Sequence, residues 1–293
     1  MRKFTSILKA TALEVLSEPL SLLILLTALV MTVFAPAFHY HQFGEPTRMA
    51  RDAGFSALFA CGGVLAVFAT IRAFRREVET GTMEMALAHP VSRGGFFLAK
   101  AAGAAVAYLV FALIVFGTQL AIVWGAAAGG ALAMQTGGLA RVFAPALAAG
   151  VAVILVPLVV AAALNRLARF RFVLTCFVVA FVLALLSGGA AFALAPRLLA
   201  PYFAVAALLA CPALVLLAAS AAFAMRFKAN AAASLVGLVF AAMLPFVGNY
   251  YLSDALSNGG SVPLSYLLLA VASALPVLAV FLLLGFRTGR DCA

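Results

Sequence analysis

The densest group of ionisable side chains in this 293-residue sequence lies between Ile71 and Arg93. It runs from Arg72, Arg75 and Arg76 through Glu77-Val78-Glu79-Thr80-Gly81-Thr82 to Met83-Glu84-Met85-Ala86-Leu87-Ala88-His89-Pro90-Val91-Ser92-Arg93. The chemistry these residue types support is recognition. Glu77, Glu79 and Arg93 offer charged contacts, and Gly81 enters positive φ freely, so it can bend the chain. Thr82 can cap a helix start, and Pro90 stops what it begins. Between them Met83, Met85 and Leu87 form a short apolar surface, in which methionine adapts to an irregular partner. An apolar helix side at the cytoplasmic face must be covered by the bilayer interface or by a groove on another protein. The plain alternative is a solvated loop that obeys the positive-inside rule and does nothing else.

Catalysis finds no comparable group. A phosphate-binding loop needs Gly-x-x-x-x-Gly-Lys-Ser/Thr; the glycine pairs at Gly62-Gly63, Gly94-Gly95, Gly129-Gly130, Gly137-Gly138 and Gly188-Gly189 lack the lysine. There is no H-E-x-x-H, no nucleophile elbow and no intramembrane aspartate pair, so the chain is read as a non-enzyme without cofactor. Cys61, Cys176, Cys211 and Cys292 form no C-x-x-C pair, which argues against a disulfide framework or zinc site. His39 and His41 flank Tyr40, but two histidines are too few for a metal site. Polar residues inside the apolar segments are Thr118, Gln119, Asn165 and Thr175. Gln119 reads as an interhelical hydrogen-bond partner before it reads as a ligand. Asp254 with Asn249, Tyr250 and Tyr251 fits an outer interface belt. The lining is therefore apolar, which favours a hydrophobic or amphipathic substrate, or a machine that transmits movement.

These residues are positioned by a chain that cannot be soluble. It is 67% hydrophobic and 10% charged, with a mean hydropathy of +1.19, whereas soluble domains run at about half apolar and about a quarter charged. The net charge of +10 would suit nucleic acid, but the cations sit as short clusters between apolar runs, so no nucleic-acid partner is expected. Segments near 20–38, 53–74, 101–124, 143–164, 172–195, 202–225, 231–250 and 264–286 are each about 20 residues, enough to cross a bilayer. Six are firm; the last stretch forms a hairpin that either crosses or dips in from one face. Fifteen of the 19 Lys and Arg residues fall on one side if the N-terminus is cytoplasmic; only Arg48, Arg51, Arg141 and Arg197 fall outside. Both termini are then cytoplasmic. Residues 1–19 read as an amphipathic interfacial helix whose apolar face is Phe4, Ile7, Leu8, Thr11, Val15 and Leu16, ended by Pro19, which starts the next helix. A signal peptide cut near Ala35-Pro36-Ala37 is disfavoured by Glu14 and Glu18 ahead of the apolar run. The expected fold is an all-α integral membrane protein of six to eight transmembrane helices, eight hydrophobic segments being preferred. A single membrane domain fills residues 1–293.

Glu77-x-Glu79-x-Gly81-Thr82, a short apolar run, then Pro90-Val91-Ser92-Arg93 and Lys100 resemble the first cytoplasmic loop of ABC-2-type transporter permeases, in particular those of the copper-reductase maturation and gliding-motility type. The topology is similar over the whole chain, while the motif itself covers about residues 75–100. The resemblance implies that residues 75–93 form a coupling loop and helix docked on a separate ATP-binding-cassette ATPase. Contacts would come from Glu77, Glu79, Gly81, Thr82, Met83, Met85, Leu87, Pro90, Ser92 and Arg93. It implies a permease subunit, paired with a second copy or homologue in the lipid bilayer of the cell membrane, the inner membrane in a bacterium. Six spans are usual for the family, so the final hairpin is a departure. A secondary transporter, or a scaffold that recruits a cytoplasmic partner, are the other readings. Buried mid-span charges or Gly/Pro-broken helices paired between two halves would favour the former.

Overall fold

The computed structural model describes residues 2–34, 46–80, 93–136, 139–227, 231–240 and 264–291, and these are almost wholly helical. Helix α1 spans Arg2–Leu16, α2 Pro19–Phe34, α3 Pro46–Thr80, α4 Arg93–Thr136 and α5 Leu139–Ala168. Helix α6 spans Phe172–Leu194, α7 Pro196–Arg226, α8 Ala231–Phe240 and α9 Leu264–Asp291. No strand occurs among the described residues. Helices α3, α4, α5, α6 and α7 are long and apolar enough to cross a membrane. Helices α1 and α2 pass that test only when taken together across their bend, which gives five to six candidate spans among the described residues, and α8 and the middle of α9 are shorter apolar helices. The chain is thus an all-helical, multi-helix membrane protein with five to six candidate spans and shorter apolar helices, against an expectation of six to eight helices with eight apolar segments preferred.

Proline and glycine place the breaks. Pro19 sits at the first turn of α2, and the axis turns by 63° between α1 and α2. Its ring fixes φ and lacks the N–H that a first-turn residue does not use. Pro196 does the same for α7, leaving Ala195 as the single residue between α6 and α7. Pro201 and Pro212 lie inside α7 and Pro276 inside α9, as proline can within membrane helices.

The bundle is organised around α4, which packs on α1, α2, α3, α5, α6, α7 and α9. One core joins α2 to α7 through Leu25, Leu29, Phe55, Phe111, Ile114, Val123, Phe177 and Leu209. A second, around Ile71, Phe74, Phe97, Ala101, Leu216 and Val236, joins α3, α4, α7 and α8. Small residues allow the tightest crossing. A Cβ on Gly117 of α4 would stand 2.5 Å from the Ala184 carbonyl oxygen of α6, and one on Gly188 would stand 2.7 Å from that of Gly117. With lipid on the outside there is little hydrophobic gain from helix association, so such close backbone packing carries it. Much of α5, α6 and α9 stays exposed, including Leu155, Val159, Val182, Leu186, Leu275 and Leu283, as lipid-facing surfaces should be.

The structure corrects two local readings. Arg51, counted on the outer side just ahead of the second span, lies within α3 and is only 6% exposed. Pro46 starts that helix well before the apolar run, and Arg51 pairs with Asp52 at 2.8 Å. Helix α3 also continues to Thr80, past the expected end near residue 74. Hydropathy falls at Arg72, whereas helical hydrogen bonding need not.

Candidate functional site

The residues that frame the candidate coupling loop belong to the ends of α3 and α4. Helix α3 has 35 residues, about 52 Å of helix at 1.5 Å per residue, against a hydrocarbon core about 30 Å thick. Its apolar part ends near Phe74, and the turns carrying Arg75, Arg76, Glu77 and Glu79 follow. Glu77 and Glu79 are in the last turn of α3, and Arg93 is the first residue of α4; the side chains of all three lie outside the described residues. So do Gly81, Thr82, Met83, Met85, Leu87, Pro90 and Ser92. The site can therefore be built as two stems and what holds them.

The stems are joined by a buried cation. Lys100 of α4 is 1% exposed, and its Nζ donates a hydrogen bond to the Ala73 carbonyl of α3. The ammonium also lies 5.4 Å from the Phe74 ring centroid and 5.8 Å from that of Phe96, close enough for ring quadrupoles to offset part of its lost hydration. Phe74 and Phe97 meet with centroids 5.4 Å apart. In a helix the Ala73 carbonyl is also the acceptor for the Glu77 N–H, four residues on. Lys100 therefore grips α3 at the base of the turn that carries the acidic pair. Gly285 of α9 gives Phe97 its room: a Cβ there would overlap the ring edge.

On its other side α3 is tied to α1. Arg72 pairs with Glu18 at 3.0 Å, and Arg76 with Glu14 at 3.2 Å. Both pairs of positions are spaced by four, so each pair lies on one face of its helix and the two contacts form a ladder. Helix α1 packs in turn on α4, burying Thr11, Ala12, Val15 and Leu16, much of the face expected from the periodicity. A Cβ on Gly103 would lie 2.6 Å from the Leu8 carbonyl oxygen and 2.8 Å from Thr11 Cβ, so α1 approaches α4 where a side chain is missing. Burial pushes the Glu18 carboxyl above its ordinary value, although the Arg72 guanidinium opposes that shift. Arg75 reaches the Phe227 carbonyl just past α7 at 3.5 Å, a long contact.

Most polar residues in the spans are engaged internally, but the buried Thr70 hydroxyl of α3 and the Oε1 of Gln119 have no hydrogen-bond partner among the described residues. Gln119 Nε2 donates to the Arg51 carbonyl at 3.0 Å, the interhelical role expected of it, in space that Gly54 leaves open. Thr32, Thr118 and Ser220 donate to the carbonyls of Ala28, Ile114 and Leu216, four residues back. Thr175 does the same to Arg171 at the start of α6, and Asn165 is exposed at the end of α5. Cys61, Cys176 and Cys211 are free thiols, and the described residues contain no cluster able to hold a metal. His39, His41, Asn249, Tyr250, Tyr251, Asp254 and Cys292 lie outside the described residues.

Sequence reasoning missed the Lys100 clasp and the Glu14/Glu18–Arg72/Arg76 ladder. The ladder had a signal, two acids and two arginines at matching intervals of four, whereas nothing local marks Lys100 as buried. No curated protein and no solved structure matches the chain. Residues 30–269 match the family described as ABC-2 family transporter protein. That interval contains α3, the loop after it and α4 to α8, and by it the chain belongs to the ABC-2 family of transporter permeases.

Proposed function

We propose that this permease works with a separate ATP-binding-cassette ATPase, and that residues 77–93 are the docking element through which ATP hydrolysis moves the membrane helices. The observation that carries this reading is the clasp of Lys100 on the Ala73 carbonyl. A load applied to the loop reaches α3 and α4 as a pair, because their stems are fixed to each other directly below it. The ladder to α1 and the contact of α9 on Phe97 extend that load to the rest of the bundle. Family membership supports the kind of partner, since ABC-2 permeases normally act with an ATPase subunit. The chain has no phosphate loop of its own. The hydroxyls of Thr32, Thr118 and Ser220 are spent on their own helices, which favours a hydrophobic or amphipathic substrate. Two permease copies, or this chain and a homologue, would complete the transporter.

The test is to replace Gly81 by Val and Glu79 by Lys, singly and together, and to follow ATPase co-purification, hydrolysis and transport. Each variant is expected to remain folded in the membrane and to lose the ATPase or its coupling to transport. A complex that retains both its ATPase and full transport after the double substitution removes this loop from the mechanism. If no ATPase accompanies the native chain, a secondary transporter or a scaffold becomes the better account.

A further inference from the structure

We propose that the inner turn of the α5–α6 hairpin is a binding site for anionic phospholipid headgroups, a reading that does not depend on the ATPase. Only Arg169, Phe170 and Arg171 separate the two helices. Helix α5 is apolar from Val142 to Leu164, and α6 is apolar from Phe172 onward. So short a connection keeps the turn at the level where the apolar segments end, the headgroup region, and denies it the reach of the α3–α4 loop. Every residue from Asn165 to Arg171 is exposed, so no described part of this chain covers it. Within these seven positions Arg166, Arg169 and Arg171 alternate with Leu167, 83% exposed, and Phe170, 58% exposed. Cations at phosphate depth with large apolar side chains between them are what a charged membrane surface binds.

The charges also lack a protein counterion in the sequence around them. No acidic residue occurs between Glu84 and Asp254, and Glu14 and Glu18 of α1 are engaged by Arg76 and Arg72. The one non-glycine residue with positive φ among those described is Arg169, at 55°. Glycine is the usual occupant of that conformation, so keeping an arginine there retains a cation at a position where the backbone favours none. Anionic lipid phosphate is the counterion available at this depth, and a membrane, not a protein, is the occupant that the short turn can meet.

The experiment uses the full chain reconstituted in phosphatidylcholine vesicles with trace spin-labelled phosphatidylglycerol or phosphatidylcholine, and compares their association by electron paramagnetic resonance. The native chain should prefer phosphatidylglycerol by roughly fivefold, the scale of one basic residue at an anionic surface. R166Q/R169Q/R171Q should lose most of that preference, and R166K/R169K/R171K should keep it. R169G separates binding from folding: it relaxes the backbone, so thermal stability in detergent should hold or rise while the lipid preference falls. Equal association of the two lipids with the native chain overturns the proposal, as does an unchanged preference in the triple glutamine variant. Loss of preference in inorganic phosphate, but not in chloride of equal ionic strength, would assign a general anion pocket and likewise overturn it. A triple glutamine variant that keeps its lipid preference but sheds a co-purifying ATPase would make the turn a protein contact instead.

Discussion

Two arginine-rich connections lie at the same face of this bundle, and they are built in opposite ways. On the α3 side, Arg72 and Arg76 are answered by Glu18 and Glu14 of α1, and Lys100 is buried against the Ala73 carbonyl and two aromatic rings. At the α5–α6 turn, Arg166, Arg169 and Arg171 stand exposed with no acid nearby in sequence. Counting positive charges treats the two alike, because both satisfy the same orientation rule. Their partners separate them. Charge answered within the protein fixes one helix against another, and charge left unanswered faces something outside it.

The sharpest way to break this comparison is to remove one cation from each region. Lys100→Met keeps the volume and removes a buried charge whose dehydration is costly. Folding should therefore survive. Transport per ATP hydrolysed should fall by about tenfold, within the range of typical coupling free energies between sites, because the grip on the α3 carbonyl is gone. Arg166→Met, at an exposed position, should leave that ratio within about twofold, since exposed substitutions away from special contacts change little. Equal effects in the two variants, read as transport and hydrolysis on the reconstituted complex, would erase the distinction between a clasp and a free charge.

Glycines extend the contrast to backbone packing. Gly117→Leu forces a side chain against the Ala184 backbone of α6, which cannot give way as a side chain can, so a loss of about 3 kcal/mol is expected. Gly103→Leu meets the α1 backbone. Helix α1 can swing aside, so the cost should be nearer about 1 kcal/mol, with residues 1–18 becoming more accessible to protease. Gly189→Leu, with nothing within 4 Å of its built Cβ, should change stability by less than about 0.5 kcal/mol. Thermal unfolding in detergent ranks the three.

The sequence carried those features that depend on local pattern. The apolar segments, the break at Pro19 and the apolar side of α1 follow from periodicity and from proline. The structure has five to six helices able to span with shorter apolar ones, a 63° turn at Pro19, and Thr11, Val15 and Leu16 buried while Phe4 is exposed. Gln119 was assigned an interhelical bond because an amide inside a span has few other uses, and it makes one. Pattern failed where tertiary contacts override composition. Arg51 and Lys100 look like boundary charges in a hydropathy profile, yet both are buried, Arg51 paired with Asp52 and Lys100 beside the rings of Phe74 and Phe96. Helix ends outrun hydropathy for the same reason: α3 and α4 each run past the apolar window into charged turns. The proposed coupling element is read from sequence, and the structure describes only the helix ends on either side of it, Thr80 and Arg93.

The smallest expected effect concerns the ladder itself, and it tests whether those ion pairs stabilise α1 or only position it. Glu18 lies 3.0 Å from Arg72, which lowers its pKa, but burial raises it and outweighs the guanidinium, so the carboxyl sits above its ordinary value. For an acid whose pKa is raised by folding, the favourable contribution is complete below the unfolded value, 4.5, and disappears as pH climbs through the folded one. At neutral pH, then, the ionised Glu18 costs more in lost hydration than Arg72 returns. Glu18→Gln should leave stability at pH 7 unchanged or raise it by less than about 0.5 kcal/mol. The native chain should gain slightly on Glu18→Gln as pH drops from 7 toward 4.5, because protonation brings the native side chain to the neutral form the variant already has. Glu14→Gln breaks a more exposed pair with Arg76 and should cost about 0.2–1 kcal/mol, less in high salt. Thermal melts of the three chains at pH 5 and pH 7 decide the matter. A Glu18→Gln variant clearly less stable than the native chain at pH 7 would mean that the ion pair prevails over burial, and that α1 is bound to α3 by charge as firmly as Lys100 binds α4 to it.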